Sequence, residues 1–183
     1  MDSRQNVAGT RSILSTLEEY RAAVSELATR AQRSLSIYTP NLEPLIYDQD
    51  CFLEPVKRLV LARGHARLRV LISDPARASR DGNRFMQMAR RLTSFIELRN
   101  VPPEFRNNPA SFIVADDRAI AYRQQASRWD GIVEFDDFTG IHAHDVVVLV
   151  ALVQFEDRLA ALKVVTLEQA GLFELGQHAV NGG

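Results

Sequence analysis

Segments of helical and strand-like periodicity alternate along most of this chain, and that alternation restricts the fold more than any other feature of the sequence. "SLSIYTP" (34–40), "ARLRVLISD" (66–74) and "FIELRNV" (95–101) read as strands, the first closed by Pro40 and the third by Pro102 and Pro103. Between them, "CFLEPVKRLVLARG" places Phe52, Val56, Leu59 and Val60 on one helical face and stops at Gly64. After a polar loop, "NRFMQMARRLTS" (83–94) is again helical. Ahead of the first strand, Ser15 or Thr16 followed by Glu18 or Glu19 forms a capping-box start for a helix through Leu17, Tyr20, Val24, Leu27, Ala28 and Ala31. "NLEPLIYDQD" is a loop with a short helical turn. Further on, Phe112–Ala115 and Ala119–Tyr122 flank Asp116-Asp117 as a pair of strands, and "GIVEFDD" (131–137) adds a short one. The expected architecture is α/β, a mixed but largely parallel sheet flanked by crossover helices, with an antiparallel hairpin in its later portion. One domain is expected over residues 15–175, between disordered tails at 1–14 and 176–183. Beyond Ile141 the pattern fits either a strand and a helix or one long helix.

Composition excludes several classes. A chain of 183 residues with 46% hydrophobic and 25% charged residues has the make-up of an ordinary globular domain. The one cysteine, Cys51, allows neither an internal disulfide nor a thiolate cluster for zinc, so a reducing cytoplasm is the expected location. Its place at a helix start is compatible with a reactive thiol, but a small buried residue is the better reading. The N-terminus lacks the apolar core of a secretory signal, and the longest apolar run, Val146 to Val153, is too short to span a bilayer.

The net charge of −1 hides an uneven distribution: −3 over residues 1–54, +8 over 55–130 and −6 over 131–183. Twenty of the twenty-two basic residues are arginine, the side chain that grips phosphate or carboxylate as a fork. Arginine richness also follows from genome composition, and that reading weighs more.

The layout, with the phrases "ARLRVLISD", "RLTSFIELR" and "FIVADDRAIAYR", resembles the phospholipase D-like domain over roughly residues 15–140. In that superfamily an HxKxxxxD motif on a strand, followed by GSxN, supplies a histidine nucleophile and a lysine that holds phosphate oxygens. Aligned on Asp116, the histidine position is Pro109, the lysine position is Ser111, the Gly-Ser pair falls on Arg123-Gln124 and the asparagine on Ala126. Asp116 alone survives, as a relic, and the resemblance implies that phosphodiester chemistry of the usual kind is lost. It also implies a homodimer, or a module that once sat beside another domain, because the enzymes pair two such motifs and this chain holds one. Some similar bacterial proteins accompany an acetyltransferase; no acetyl-CoA-binding pattern is visible here.

The residues singled out for ligand binding are Ser111, Asp116, Arg123, Arg128 and Trp129. Asp116 and Asp117 between two strands favour a turn over a site, with Asp116 the one to face a residual pocket. Arg123 either refills an emptied pocket with positive charge or pairs with Asp116 or Asp117. Trp129 could stack on a base, though a core or interface position is the commoner use. His142 and His144 have a metal-like spacing but no third ligand, so neither a metal nor a cofactor is expected. No Walker or Rossmann glycine loop and no GxSxG elbow is present. Three functions compete: a dimeric, non-catalytic module binding a phosphate-containing ligand, nucleic acid more weakly supported, or a protein partner; a phosphodiesterase or nuclease using His142 or His144; and a structural or regulatory self-association domain.

Overall fold

Thr16 opens the first helix as the sequence predicts: its hydroxyl accepts from the Glu19 amide while the Glu19 carboxylate accepts from the Thr16 amide, a closed capping box. The computed structural model describes residues 11–62, 64–80 and 83–135, all within one compact unit, residues 1–153. His142, His144, the Val146–Val153 run and the C-terminal tail lie outside the described residues. The strands are β1 (Arg11–Leu14), β2 (Ser34–Thr39), β3 (Arg67–Ile72), β4 (Ile96–Asn100), β5 (Ser111–Ala115), β6 (Ala119–Arg123) and β7 (Gly131–Glu134). The helices are α1 (Leu17–Arg30), α2 (Pro44–Tyr47), α3 (Asp50–Ala62), α4 (Pro75–Arg80) and α5 (Arg84–Arg91).

These strands form one seven-stranded sheet in the order β1-β7-β6-β5-β2-β3-β4. The α/β class with a mixed, helix-flanked sheet stands, but the balance of directions is corrected. Among the described residues only β2 with β3 and β3 with β4 pair in parallel; the other four pairings are antiparallel. Crossovers through α2–α3 and α4–α5 impose the parallel pairs. The 101–110 connection contains no crossover helix, only a short 3-10 turn at Pro103–Phe105, and it returns the chain beside β2 in the opposite sense.

Two further expectations change. Residues 11–14, expected to belong to a disordered tail, form an edge strand on β7, with Arg11 opposite Glu134 in the register and 3.5 Å from its carboxylate. The "polar loop" after β3 contains α4, which starts at a proline and follows Asp74, whose carboxylate accepts from the Arg77 amide.

Alternation along the strands builds a core on each face of the sheet. Leu35, Ile37, Leu68, Val70, Ile72, Ile96, Ile113 and Ala121 join the apolar sides of α1, α3 and α5 in the larger core. Tyr38, Leu71, Val101, Phe112, Val114 and Ile120 form the smaller one, with Phe105 and Tyr122 packed against it. Cys51 is exposed, contrary to expectation, because the buried stripe of α3 runs through Phe52, Leu53, Val56, Leu59 and Val60 and Cys51 falls off it. No helix among the described residues is long and apolar enough to cross a membrane.

Candidate functional site

Strand β5 enters the sheet at Ser111, directly opposite Arg123 in the β5–β6 register and one residue before the Phe112–Tyr38 pair near the end of β2. This end of β5 therefore lies where β2 and β3 deliver their carboxyl termini, the edge of an open α/β sheet at which sites are generally built. The first residues past β2 bring in Glu43, and α1 and α2 contribute Tyr20 and Tyr47.

Arg123 is the centre of the arrangement. Its side chain is 0% exposed, and it is the largest fully buried side chain among the described residues. One terminal nitrogen donates to Glu43 Oε2 at 2.5 Å and to Ser111 Oγ at 3.1 Å; the other donates to the carbonyls of Ala126 at 3.0 Å and Arg128 at 3.1 Å. The guanidinium carbon lies 4.4 Å from the Tyr20 ring centroid and 4.9 Å from that of Trp129, so the cation rests against two aromatic faces. Burial works against its charge, but the Tyr20 phenol and the Glu43 carboxylate outweigh this and hold its pKa above the usual arginine value. The backbone leaves no spare room above the stem: a Cβ on Gly131 would sit 2.5 Å from the Tyr122 carbonyl oxygen and 2.9 Å from Arg123 Cγ.

Three polar atoms in this cluster, the Tyr20 hydroxyl, the Tyr47 hydroxyl and Arg123 Nε, are buried with no hydrogen-bond partner among the described residues. Both phenols feel the charges of Glu43 and Arg123, so these four side chains share one low-dielectric centre. Burial raises both phenol pKa values, that of Tyr47 by the larger amount.

Of the residues singled out in the sequence, Ser111, Arg123 and Trp129 meet here. Arg123 forms an ion pair, with Glu43 rather than with Asp116 or Asp117. Arg128 gives only its carbonyl; its guanidinium faces outward and pairs with Asp130 at 2.5 Å. Trp129 is half-buried and covers the guanidinium.

Asp116 lies at the far end of β5. Its carboxylate accepts from the amides of Gln32 and Arg33 at 2.6 Å and Ser34 at 2.8 Å, fixing the chain between α1 and β2. Asp116 and Asp117 take φ of 53° and 57° in a tight turn closed by the Arg118 amide on the Ala115 carbonyl at 3.0 Å, so the turn reading holds. A cleft of about 330 Å³ lined by Arg30, Gln32, Arg33, Arg118 and Phe135 opens beside Asp116. Its carboxylate is already committed to backbone amides.

Glu43, Tyr20 and Tyr47 were not anticipated. Tyr20 has the spacing of a helix core residue and Tyr47 that of a loop, and nothing in their sequence separates them from such roles. The one available signal concerned Glu43: a carboxylate just past the carboxyl end of an apolar strand. Among the described residues no group of three His, Cys, Asp or Glu side chains is placed to hold a metal ion.

A family model described as Domain of unknown function (DUF7931) matches residues 16–144. No curated protein matches the sequence. Among solved structures the fold is similar to TrmBL2, an archaeal chromatin protein with a novel mode of DNA binding. The TM-score is 0.51 at 12% identity, over 82% of this chain and 52% of that one; this chain thus spans about half the length of the chromatin protein. It is also similar to Nuc, a phospholipase D family member from Salmonella typhimurium, with a TM-score of 0.45 at 14% identity over 71% of this chain and 85% of that one. For the phosphatidylserine synthase of Haemophilus influenzae Rd KW20 the values are 0.44 and 12%, over 84% of this chain and 40% of that one.

Proposed function

We propose that this chain, which belongs to the DUF7931 family of domains of unknown function, is a non-catalytic phospholipase D-like module that acts by binding and in which an internal ion pair has replaced the reaction centre. The observation that carries this is the Arg123–Glu43 pair, buried at the end of β5 beside Ser111. A phosphodiesterase of the usual kind needs at this place an accessible nucleophile and uncommitted cations to receive developing negative charge. Here the aligned nucleophile position is Pro109 and the aligned lysine position is Ser111. The cation present has four of its five N–H donors bound to protein oxygens and its charge balanced by a carboxylate.

On this reading Ser111, Arg123, Arg128 and Trp129 hold the strand ends and the 124–130 loop together. An external partner meets the surface above them, or displaces Glu43. The +8 balance of residues 55–130 supports an anionic partner, and a phosphate-bearing ligand or an acidic protein surface both have that chemistry. The similar chromatin protein binds DNA. A nucleic-acid partner for this chain is tested by fluorescence anisotropy of a short oligonucleotide, where an affinity that does not fall with salt removes it. A homodimer, implied by the single centre in a superfamily that pairs two, belongs to the same proposal and is tested by sedimentation equilibrium.

The direct test is hydrolysis of bis(4-nitrophenyl) phosphate by the purified full chain, with and without divalent cations. The expected result is a rate at background. Turnover that co-purifies with the protein and is lost in His142→Ala would replace this reading with a live phosphodiesterase.

A further inference from the structure

We infer that Glu43 is a built-in occupant of an oxyanion pocket, and that Arg123, Ser111, Tyr20 and Tyr47 bind a small tetrahedral oxyanion, phosphate or a phosphate monoester, when the Glu43 side chain withdraws. The inference rests on the reading of this centre as a rebuilt, non-catalytic one and narrows its ligand to a small oxyanion held inside the centre, with the Glu43 side chain as the group that controls access.

The donors at this point outnumber what the carboxylate can use. A single oxygen of Glu43, Oε2, takes both Arg123 at 2.5 Å and the Ser111 hydroxyl at 3.5 Å. The Tyr20 hydroxyl faces Arg123 and Ser111 and the Tyr47 hydroxyl faces Ser111, yet neither hydroxyl nor Arg123 Nε completes a hydrogen bond of normal geometry among the described residues, although Tyr20, Tyr47 and Arg123 are each 0% exposed. A buried donor left unmatched keeps its desolvation cost, so a set of three around one cation is a site built for more acceptors than it is given. A tetrahedral oxyanion presents three or four oxygens, and a guanidinium is the side chain best shaped to take two of them.

Glu43 is also the member free to leave. Its side chain is 14% exposed, against 0% for Arg123, so it alone reaches toward solvent. It stands at the N-cap of the four-residue α2 without capping it, just after Leu42, a non-glycine residue at φ 55°. Leu42 itself is fully buried and its carbonyl accepts from Asn83 Nδ2 at 2.7 Å. The loop is therefore anchored, and withdrawal needs only rotation of the Glu43 side chain. Once it is out, Arg123 is a buried cation without a counter-ion, and an anion from solution is what that centre then selects.

The test compares the full-length wild type with Glu43→Ala and Glu43→Gln, by melting temperature and titration calorimetry, against inorganic phosphate, phenyl phosphate and chloride at constant ionic strength. In Glu43→Ala, about 10 mM phosphate is expected to raise the melting temperature by several degrees through mass action, with at most a small shift in wild type. Adding Tyr47→Phe is expected to weaken phosphate binding several-fold. A response to phenyl phosphate as well marks access for monoesters; a response to inorganic phosphate alone marks a closed pocket for the free ion, and either supports the inference. Should Glu43→Ala not fold in buffer, its recovery in phosphate is the supporting result. Equal phosphate responses in wild type and Glu43→Ala would overturn the inference. So would folded Glu43→Ala and Glu43→Gln proteins that both ignore phosphate, or a Glu43→Ala chain that phosphate does not rescue beside an unresponsive Glu43→Gln. Phosphodiester hydrolysis measured on the same samples reports separately on the non-catalytic reading.

Discussion

Replacing Arg123 with methionine isolates what the central cation contributes. The unbranched methionine replaces the aliphatic stem, while the guanidinium is lost with its four hydrogen bonds and its contacts over the Tyr20 and Trp129 rings. Two of those bonds hold the Ala126 and Arg128 carbonyls of the loop before β7, and a hydrogen bond to a charged group contributes about 1.5–3 kcal/mol. Glu43, at 14% exposure, can turn to water once its partner is gone, which limits the penalty on its side. The expected loss for Arg123→Met is therefore about 3–4 kcal/mol, toward the lower part of the ~3–5 kcal/mol found when one member of a buried pair is removed. That is a large share of the ~5–15 kcal/mol that holds a typical domain folded. Glu43→Ala strands the cation instead, and Arg123 cannot reach water, so its cost should be the greater of the two. The double variant Arg123→Met/Glu43→Leu should recover about 1–3 kcal/mol relative to the sum of the singles, because neither charge is then left buried alone. Urea unfolding at neutral pH measures all of this, and the chain's only tryptophan, Trp129, lies against the guanidinium as a built-in fluorophore. Single variants within about 0.5 kcal/mol of wild type, the range of ordinary surface substitutions, would refute the assignment of Arg123 and Glu43 as the structural centre.

Three other outcomes are expected. Asp116→Ala should cost about 2–4 kcal/mol in urea unfolding, since three amides lose a charged acceptor and alanine resists φ near 53°; Asp116→Asn should cost about half as much, and a neutral Asp116→Ala would return this residue to the functional candidates. Gly131→Ala should cost about 1–3 kcal/mol, because the new methyl meets the Tyr122 carbonyl oxygen at 2.5 Å; an unchanged midpoint would mean that β7 shifts freely. Burial raises the pKa of Tyr20 and Tyr47 above the ordinary 10.0, so the folded state holds these protons more tightly than the unfolded state does. Their contribution is thus complete below pH 10 and is lost as pH rises toward the folded-state values, at up to about 1.4 kcal/mol per pH unit for each group. Circular dichroism between pH 9 and 12 should show that loss and a shallower one in Tyr47→Phe; identical profiles would place the Tyr47 hydroxyl in water.

What could be read from the sequence was whatever local chemistry determines. The capping box at Thr16 and Glu19, the stripe from Phe52 to Val60 and the alternation in Leu68, Val70 and Ile72 each depend on neighbours within a few positions, and each folds as read. Strand direction is not written in alternation, so the antiparallel majority of the sheet was out of reach. The edge strand β1 shows why some elements leave no trace: three of its four residues are exposed, and its only partner among the described residues, β7, lies more than 110 positions away. The site divides in the same way. Ser111 and Arg123 stand 12 residues apart on one hairpin and were legible together, whereas Glu43 and Arg123 are separated by 80. A carboxylate recruited across that distance is chosen by packing, and no spacing rule announces it.

The order in which such a centre can be rebuilt follows from its contacts. On the proposed reading, writing in the histidine and lysine of the phospholipase D-like motif that the sequence resembles, as Pro109→His and Ser111→Lys, would place a lysine beside Arg123, whose Nη2 lies 3.1 Å from the present Ser111 hydroxyl, and two cations would then compete for Glu43. A second cation brought into the same buried site disfavours ionisation of the lysine, which then cannot offset the charge of a diester. The double variant is therefore expected to hydrolyse bis(4-nitrophenyl) phosphate no faster than wild type. Removing the internal pair as well, with Arg123→Gly and Glu43→Ala, returns the space and leaves the introduced lysine as the one cation of the pocket. If any combination restores turnover it is this four-residue one, and the readout is hydrolysis in folded protein, with folding checked by Trp129 fluorescence. Activity in the double variant with Arg123 and Glu43 intact would show that the ion pair does not occupy the reaction centre, and the non-catalytic reading would lose the observation on which it stands.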